Sequence, residues 1–480
     1  MMQRTIKNIC CIGAGYVGGP TMSVIADKCP QLIVNVVDIN SERIKAWNSI
    51  DFEKLPIFEP GLSKIIKKCR DRNLFFSTEI AKNIRLADII FISVNTPTKT
   101  KGIGAGKASD LKWVEACARQ VAKFAVGHTI VVEKSTLPVR TAEVIQTILE
   151  SEQIFQKENK TKKSFDVLSN PEFLAEGSAI NDLKYPDRVL IGGQNDDAIN
   201  ALYEIYANWV PKNKILKTTI WSSELAKLTA NAFLAQRISA INAIGALCES
   251  TGADVREVAR AIGTDTRIGS RFLDSGPGFG GSCFKKDILN LVYLSNYFGL
   301  PEVADFWESV VLLNKWHQHR ISKLVVKNLF GSISEKKISI LGFAFKANTN
   351  DTRESAAIQI CKDLIEEGAE LIIHDPKVDT QQISIDLGLS PMEDKKVKIE
   401  KINNKFEGGW RYTNDIYESF EGSDACLILT EWIEYSNIEW QKAAKSMRMP
   451  AWVFDARSIA DKNKIIEAKL LFWRVGDGST

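Results

Sequence analysis

The stretch "KNICCIGAGYVGGP", Lys7–Pro20, joins an apolar run that predicts a strand to a glycine-rich turn and the start of a helix. Gly13, Gly15 and Gly18 have the spacing of a dinucleotide-binding turn. Asp38 ends the next apolar run, about 20 residues further on. Such glycines allow a tight turn and close approach of a pyrophosphate, while the carboxylate binds ribose hydroxyls. Because Asp38 would repel a 2′-phosphate, the pattern favours NAD over NADP.

Apolar runs of strand length recur along the chain, separated by stretches with helical periodicity. The first half continues with "ADIIFISVNTP" and "HTIVVEKST", and the last third repeats the order with "KKISILGFAFK", "AELIIHDP", "SDACLILTEW" and "PAWVFDARS". Strands without polar alternation are typical of a parallel sheet covered by helices on both faces. We therefore predict an α/β fold with two doubly wound Rossmann-like parallel-sheet domains.

A long helical pattern, "WSSELAKLTANAFLAQRISAINAIGALCESTG", lies between the two halves. Ser222 and Ser223 are candidate N-caps, and Gly252 is a stop signal. The predicted helix is apolar around much of its circumference, so it has to be buried between domains or between subunits, and we expect at least a dimer. We place the domain boundaries at 1–212 for the NAD-binding domain, 213–329 for a central helical domain and 330–480 for the second Rossmann-like domain.

The composition is that of an ordinary soluble protein. The 480 residues exceed what one core usually holds, and 45% of them are apolar. A net charge of +3 with interspersed signs predicts no nucleic-acid partner, which would need a concentrated basic stripe. We expect no membrane span, because no apolar run reaches the roughly 20 residues required. Nine cysteines without a CxxC pair, and an N-terminus without a secretory apolar region, favour a cytoplasmic protein with reduced thiols.

The four histidines do not have the spacing of metal ligands, so we expect no metal. His317 and His319 stand close together on a predicted helix but face apart, and His128 and His374 stand singly. We predict structural roles for all four. The group that deprotonates an alcohol substrate is then a lysine, a carboxylate or a water.

A second glycine-rich stretch, "GPGFGGSCFKKD", runs from Gly276 to Asp287 and leads into a predicted helix. It places Cys283 near the first helical turn, where the helix dipole and a nearby lysine would stabilise a thiolate. A thiol beside a dinucleotide fold suits a two-stage oxidation, in which the thiol captures an aldehyde and a second hydride transfer leaves a thioester for hydrolysis. Lys227 and Asn231 share one face of the long helix, and a buried lysine there would suit a proton acceptor or an oxyanion partner.

Seven motifs carry a resemblance over essentially the whole chain: "GAGYVGGP", "VNTPTKT", "EKSTLPVR", "SNPEFLAEG", "WSSELAKLTANAFLAQR", "GFGGSCFKKD" and "GFAFKANTNDTRES". In these motifs the sequence resembles the UDP-glucose/GDP-mannose dehydrogenase family, and the animal enzymes of that family most. The resemblance implies oxidation of the glucosyl 6-hydroxymethyl group of UDP-glucose to UDP-glucuronate with two NAD reduced. It also implies that residues 330–480 bind the UDP-sugar and that dimers assemble further, up to a hexamer.

Catalytic roles follow from the resemblance residue by residue. Cys283 is the nucleophile, and Asp287 positions or activates water. Lys227 and Asn231 hold the developing oxyanion. Glu172 serves in acid–base steps.

The resemblance also implies binding residues. Thr136 lies between the cofactor and the catalytic water. The implied cofactor set is Gly13, Ala14, Gly15, Tyr16, Val17, Gly18, Asp38, Arg43, Val94, Asn95, Thr96, Pro97, Thr98, Ser135, Thr136, Glu176, Lys286 and Arg353. The implied substrate set is Glu172, Phe173, Leu174, Ala175, Glu176, Lys227, Asn231, Arg267, Phe272, Leu273, Phe279, Gly280, Phe284, Phe345, Lys346 and Arg457.

Two alternative functions stay open. The nearer one is the same chemistry on another nucleotide sugar, a UDP-N-acetylhexosamine or GDP-mannose, which residue types alone barely separate. The other is a non-catalytic sensor of NAD or of a nucleotide sugar, in which Cys283 is a redox switch. The intact catalytic set argues against a sensor, because a sensor needs no water-activating carboxylate such as Asp287.

Overall fold

The computed structural model describes residues 6–135, 138–155, 163–392 and 408–479, with the backbone alone for 152–155. The chain divides into two compact units, which we call the first unit (Met1–Ala230 with Leu289–Gly299) and the second unit (Asn231–Ile288 with Leu300–Thr480). In the described part of the chain, no helix is both long and apolar enough to cross a membrane.

The first unit contains a large sheet with helices in the connections. Its strands are β1 Asn8–Ile12, β2 Ile33–Val37, β3 Leu74–Ser77, β4 Ile89–Ile92, β5 His128–Glu133, β6 Ser164–Ser169, β7 Val189–Gly192 and β8 Ile215–Thr218. Its helices include α1 Gly18–Lys28, α2 Ser41–Trp47, α3 Leu62–Cys69, α4 Ile80–Leu86, α5 Lys112–Phe124, α6 Thr141–Phe155, α7 Ala179–Lys184 and α8 Asp196–Tyr206. The strand order is β3-β2-β1-β4-β5-β6-β7-β8, parallel except for one antiparallel bridge between β6 and β7.

Strand β1 shows why its sequence is apolar without alternation. Ile9 and Cys11 belong to one hydrophobic cluster, and Cys10 and Ile12 belong to another. Successive strand residues point to opposite faces, so these clusters are the cores on the two sides of the sheet. All four side chains are buried because helices cover both faces, as the sequence predicted.

Four helices follow the first sheet: α9 Ile220–Thr251, α10 Val255–Gly263, α11 Phe284–Tyr297 and α12 Pro301–Asn328. The predicted long helix is confirmed by α9, and Gly252 ends it with a φ of +81°. The predicted N-caps are wrong, because Ser222 and Ser223 lie inside the first turn. Thr219 precedes the helix instead, and its hydroxyl accepts a hydrogen bond from the N–H of Ser222 at 3.4 Å.

The second unit contains the other sheet. Its strands are β9 Lys337–Leu341, β10 Glu370–His374, β11 Gly409–Tyr412, β12 Ala425–Ile428, β13 Trp452–Asp455 and β14 Leu471–Arg474. Helices α13 Ala356–Glu366, α14 Thr380–Leu387, α15 Trp440–Ser446 and α16 Lys462–Glu467 accompany them. The strands are parallel in the order β11-β10-β9-β12-β13-β14. The predicted α/β class with two Rossmann-like sheets is thus confirmed, whereas the three domain boundaries stay a prediction.

Candidate active site

The first glycine turn follows β1 and opens α1, as predicted. Gly13 has a φ of +111°, and a Cβ there would lie 2.1 Å from the carbonyl oxygen of Ser93. A Cβ at Gly18 would lie 2.1 Å from the carbonyl oxygen of Gly13, whereas a Cβ at Gly15 would meet nothing within 4 Å. Protein packing therefore explains Gly13 and Gly18. The open backbone at Gly15 leaves room for a pyrophosphate, so the turn fits a dinucleotide.

Asp38 follows β2 and organises this turn while 8% exposed. Its Oδ2 accepts a hydrogen bond from the N–H of Ala14, and its Oδ1 accepts one from the N–H of Asn40, both at 2.9 Å. Nη1 of Arg43 lies 3.2 Å from Oδ2. A carboxylate has about four lone-pair sites, so these contacts leave capacity for a ribose hydroxyl.

The loops after β4 and β5 carry further predicted cofactor residues. The two strands are parallel neighbours, so both loops leave the sheet at the same edge. The hydroxyl of Ser135 donates to the carbonyl oxygen of Val94 at 2.8 Å, which joins the two loops. Thr136 lies outside the described residues. The rest of the predicted set in the first of these loops is Asn95, Thr96, Pro97 and Thr98.

Glu172 and Lys227 form a buried ion pair in the first unit. Nζ of Lys227 lies 3.1 Å from Oε1 of Glu172, and the two side chains are 5% and 4% exposed. Oε2 of Glu172 accepts a hydrogen bond from the N–H of Leu174 at 2.9 Å. The ring of Phe173 lies 5.4 Å from Nζ of Lys227 and 3.8 Å from the guanidinium of Arg188. Lys227 is therefore part of a packed charged cluster and not of an exposed polar stripe.

The loop after β6 is held by Glu59, which no sequence pattern indicated, and by Tyr16 of the glycine turn. The N–H of Gly177 donates to Oε1 of Glu59 at 2.6 Å and to the hydroxyl of Tyr16 at 3.2 Å. Oε2 of Glu59 accepts from the N–H of Ala179 at the start of α7, at 2.9 Å. A buried carboxylate at a helix N-terminus is favourable because it satisfies free N–H groups there. No local motif marks Glu59, since its partners are distant in sequence.

Glu133 and Glu224 form a buried pair of carboxyl groups, which the sequence did not indicate. The two carboxyl groups are neighbours, and burial together with the charge of Glu224 raises the pKa of Glu133 well above its ordinary value. Glu133 is therefore protonated beside Glu224. Glu224 also accepts from the N–H groups of Arg140 and Ala142 at the start of α6, at 2.7 and 2.8 Å. The pair therefore connects the end of β5 to the starts of α6 and α9.

The second glycine-rich stretch lies in the second unit and is held by polar side chains from two helices. Asn242 on α9 accepts a hydrogen bond from the N–H of Gly276 at 2.9 Å. Asn314 on α12 accepts from the N–H of Phe279 at 2.9 Å and donates to its carbonyl oxygen at 3.1 Å. Nε2 of His317 lies 2.9 Å from the carbonyl oxygen of Gly276, and burial lowers the pKa of this imidazole to about 4. His317 is therefore neutral and anchors the backbone, the kind of structural role that we predicted for it.

The end of the same stretch packs against the segment after β9. A Cβ at Gly280 would lie 2.6 Å from the carbonyl oxygen of Glu354 and 2.9 Å from Cβ of Phe345. Gly281 has a φ of +85°, and its N–H donates to the carbonyl oxygen of Arg353 at 2.8 Å. The glycines thus allow two backbones to approach closely. The stretch is a fixed backbone support and not a flexible surface loop.

Cys283 directly precedes α11, as predicted, and lies beside the hydroxyl of Ser282 at 3.4 Å. It is half-buried, whereas the other eight cysteines are buried. Burial raises the pKa of several of these, for example to about 12 for Cys10. Asp287, one turn after Cys283, is 1% exposed and accepts a hydrogen bond from Nδ2 of Asn231 at 2.6 Å. The structure thus brings a partly accessible thiol, a buried carboxylate and an amide together at the start of α11.

Three residues of the implied substrate set, Phe345, Lys346 and Arg457, lie near the carboxyl ends of the strands of the second unit. Nη2 and Nε of Arg457, after β13, donate to the carbonyl oxygens of Phe345 and Leu429 at 2.8 Å. Nη1 of Arg457 lies 3.1 Å from Oε2 of Glu431. Nζ of Lys346 lies 5.5 Å from the ring centroid of Phe345. Two cations and an aromatic ring at this edge of a doubly wound sheet fit a nucleotide diphosphate.

The remaining predicted residues of the second unit differ in their surroundings. Phe279 is buried and meets the ring of Phe284 edge to face at 6.0 Å. Arg267 is 87% exposed, and its guanidinium donates to Asp265 from Nε at 3.0 and 3.2 Å and from Nη2 at 2.6 Å. Phe272 is 40% exposed and has a φ of +62°, in the left-handed region.

The predicted cofactor residue Arg353 binds Asp351 through Nε at 2.8 Å and through Nη2 at 2.5 Å. Its neighbour Glu354 pairs with Lys285 at 2.8 Å. Arg353 is therefore oriented by its own loop, and Lys285 is directed towards Glu354.

Comparisons with known proteins identify the same family in all three parts of the chain. Three models of the UDP-glucose/GDP-mannose dehydrogenase family match: the NAD binding domain at residues 7–210, the central domain at 221–316 and the UDP binding domain at 339–462. The chain is 52% identical to UDP-glucose 6-dehydrogenase 4 of Arabidopsis thaliana, over 98% of this chain and 96% of the relative. It is 54% identical to UDP-glucose 6-dehydrogenase of Gallus gallus, over 95% and 90%.

A solved structure agrees with these relatives. The UDP-glucose dehydrogenase of the hyperthermophilic archaeon Pyrobaculum islandicum superimposes with a TM-score of 0.81 at 28% identity and covers 98% of both chains. The glycine turn with Asp38, the buried Glu172–Lys227 pair and the cysteine before α11 all lie within the matched ranges. The chain therefore belongs to the UDP-glucose/GDP-mannose dehydrogenase family of NAD-dependent oxidoreductases.

Proposed function

We propose that the protein oxidises UDP-glucose to UDP-glucuronate in two successive steps, with Cys283 as the covalent nucleophile. The observation that carries the covalent scheme is the setting of Cys283. It is the half-buried one of nine cysteines, it precedes a helix, and the Asn231–Asp287 pair lies one turn away. A thiol in this position suits aldehyde capture, since a helix N-terminus favours the thiolate by roughly 0.3–1 kcal/mol.

The roles of the side chains follow from the chemistry. Alcohol oxidation releases one proton and one hydride, and bound NAD supplies the hydride acceptor. Lys227 and Asn231 hold the oxygen that becomes negative, while Glu172 takes part in proton transfer. Cys283 adds to the aldehyde carbon to give a thiohemiacetal, whose oxidation leaves a thioester. Asp287 positions the water that hydrolyses the thioester and regenerates the thiol.

The choice of UDP-glucose over other nucleotide sugars rests on the named relatives. Relatives from a plant and an animal, 52–54% identical to this chain, carry the name UDP-glucose 6-dehydrogenase. The alternative substrates are a UDP-N-acetylhexosamine and GDP-mannose, which residue types alone barely separate from UDP-glucose. A panel of nucleotide sugars, compared by kcat/KM, separates these substrates.

Complete conversion of limiting UDP-glucose by the purified protein with excess NAD should form two NADH per sugar, because the aldehyde stays bound through Cys283 until the second oxidation. NADH absorbance and chromatography of the sugar products measure the ratio. A ratio of one, with free aldehyde accumulating, would refute the thioester scheme while leaving a dehydrogenase in place.

Asp38→Asn keeps an acceptor for the N–H of Ala14 but removes the charge that repels a 2′-phosphate, and it releases Arg43 to pair with such a phosphate. The ratio of kcat/KM for NAD to that for NADP should fall by about tenfold or more, since one lost charge interaction is worth roughly 1–2 kcal/mol. Asp166→Asn, a change on the β6 strand, serves as the control. A wild-type protein that already prefers NADP would contradict this interpretation of Asp38.

We also propose that the protein is a cytoplasmic homo-oligomer built from dimers, up to a hexamer. Support comes from apolar side chains of the second unit that solvent reaches in a single chain. Phe233 and Leu247 on α9 are 55% and 59% exposed, and Phe306 and Leu312 on α12 are 54% and 61% exposed. Apolar exposure of this extent on long helices is typical of surfaces that another subunit covers.

A further inference from the structure

Lys134 is a buried lysine that the proposed reaction scheme does not use. It directly follows β5 and is 3% exposed. Its Nζ donates to Oδ1 of Asn170 at 3.0 Å and to the hydroxyl of Tyr206 at 3.3 Å. The hydroxyl of Tyr206 in turn donates to Oδ1 of Asn170 at 2.7 Å. Both partners are neutral, so these hydrogen bonds do not balance the charge of a buried ammonium group.

Glu172 and Lys227, the two members of the buried ion pair, are charged groups that act on Lys134. Burial lowers the pKa of Lys134 to about 8, attraction to Glu172 opposes this effect, and repulsion from Lys227 adds to it. The other titratable neighbours are Cys11 and Tyr206, and burial raises the pKa of both well above the ordinary values. They stay protonated and neutral. Lys134, Glu172 and Lys227 are therefore one carboxylate and two ammonium groups, and these three groups carry a net charge of one positive unit while Lys134 is protonated.

The net charge of the three groups Lys134, Glu172 and Lys227 decides whether they can accept a proton. A buried cluster with a net positive charge resists a further proton, because like charges repel strongly where water is excluded. Once Lys134 has lost its proton, the charges of Glu172 and Lys227 cancel. Alcohol oxidation releases a proton that needs an acceptor. The Glu172–Lys227 pair can therefore accept this proton when Lys134 is neutral.

We propose that Lys134 is a further positioning residue of the oxidation, whose charge state controls whether the Glu172–Lys227 pair can take up the proton of the substrate hydroxyl. This inference rests on the proposed function. In the balanced step, the proton of the sugar hydroxyl passes to the pair, the hydride passes to the nicotinamide acceptor, and Lys134 stays neutral throughout.

Two substitutions, one neutral and one positively charged, test the inference. Lys134→Met is permanently neutral, and Lys134→Arg is permanently charged. The pre-steady-state rate of the first hydride transfer from UDP-glucose is measured across the pH range around 8. For the wild type we expect a rise of about tenfold or more through an ionisation near pH 8. Lys134→Met should lack this rise and keep, at all pH values, a rate near that of the wild type above pH 8. Lys134→Arg should keep a rate near that of the wild type below pH 8.

Tyr206→Phe is the matched control, because it removes a hydrogen-bond partner of Lys134 without changing the charge. It should keep the rise near pH 8 even if its rates are lower throughout. A Lys134→Met variant that retains the ionisation, or a Lys134→Arg variant with the wild-type profile, would overturn the proposal. A purely structural Lys134 would change the rates of both variants without changing the shape of the pH profile.

Stability against pH gives a readout that does not depend on activity. The pKa of Lys134 is about 8 in the fold and 10.5 in the reference state, so the unfolded chain binds more protons between these values. The free energy of unfolding of the wild type should therefore increase, relative to that of Lys134→Met, as the pH rises from about 8 to 10.5. If no nucleotide sugar is oxidised, the proposed function fails while this comparison still tests the charge state. If the free energies of unfolding of the two proteins change with pH in the same way, Lys134 does not lose its proton near pH 8 in the fold.

Discussion

Cys283→Ser is expected to lose at least about 10²-fold in complete turnover and to stall after the first oxidation, because the hydroxyl is a poorer nucleophile than the thiol. The serine can still add to the aldehyde, but the resulting ester is more stable than a thioester. Sugar should therefore remain covalently attached. Intact-mass spectrometry after mixing with UDP-glucose and NAD detects the adduct, and NADH absorbance gives the rate.

The control for this experiment is Cys69→Ala, which removes one of the buried thiols, at the end of α3. It should keep the rate of the wild type and form no adduct. A Cys283→Ser protein that turns over at the wild-type rate is incompatible with covalent catalysis at this position. The glycine-rich stretch would then be a binding loop with an incidental thiol.

Lys227→Met is expected to lower both the turnover and the stability of the protein. The substitution leaves Glu172 4% exposed without its ion-pair partner, and breaking a buried pair from one side typically costs about 3–5 kcal/mol. We expect the lower end of that range, because the charge of Lys134 still acts on Glu172. Turnover should fall by about 10²-fold or more, since the oxyanion loses its cation. Denaturant unfolding and steady-state kinetics measure the two effects.

The double variant Lys227→Met/Glu172→Gln separates stability from catalysis. Removing the second charge should recover most of the lost unfolding free energy but none of the activity. Lys217→Met, an exposed change on β8, is the matched control and should alter stability by less than about 0.5 kcal/mol. Recovery of activity in the double variant would show that Lys227 acts only as a structural partner of Glu172.

The candidate site was predictable from sequence where the chemistry is local. The spacing of Gly13, Gly15 and Gly18 before a helix predicted the dinucleotide turn, and "SCFKKD" predicted a thiol at a helix start. Residues whose roles depend on long-range contacts were not predictable. Glu59, Glu133 and the anchors of the second glycine-rich stretch have no local signal, because their partners lie in other strands and helices.

Periodicity and short motifs act within a few residues, so the order of strands and helices, the family and the position of a thiol before a helix could be predicted from the sequence. Which polar groups are buried together was visible only in the folded chain. The fold paired Glu172 with Lys227, placed Lys134 beside them and left Cys283 accessible among buried thiols. Burial sets the charge state of such groups through desolvation, and desolvation depends on the packing of segments that are distant in the chain.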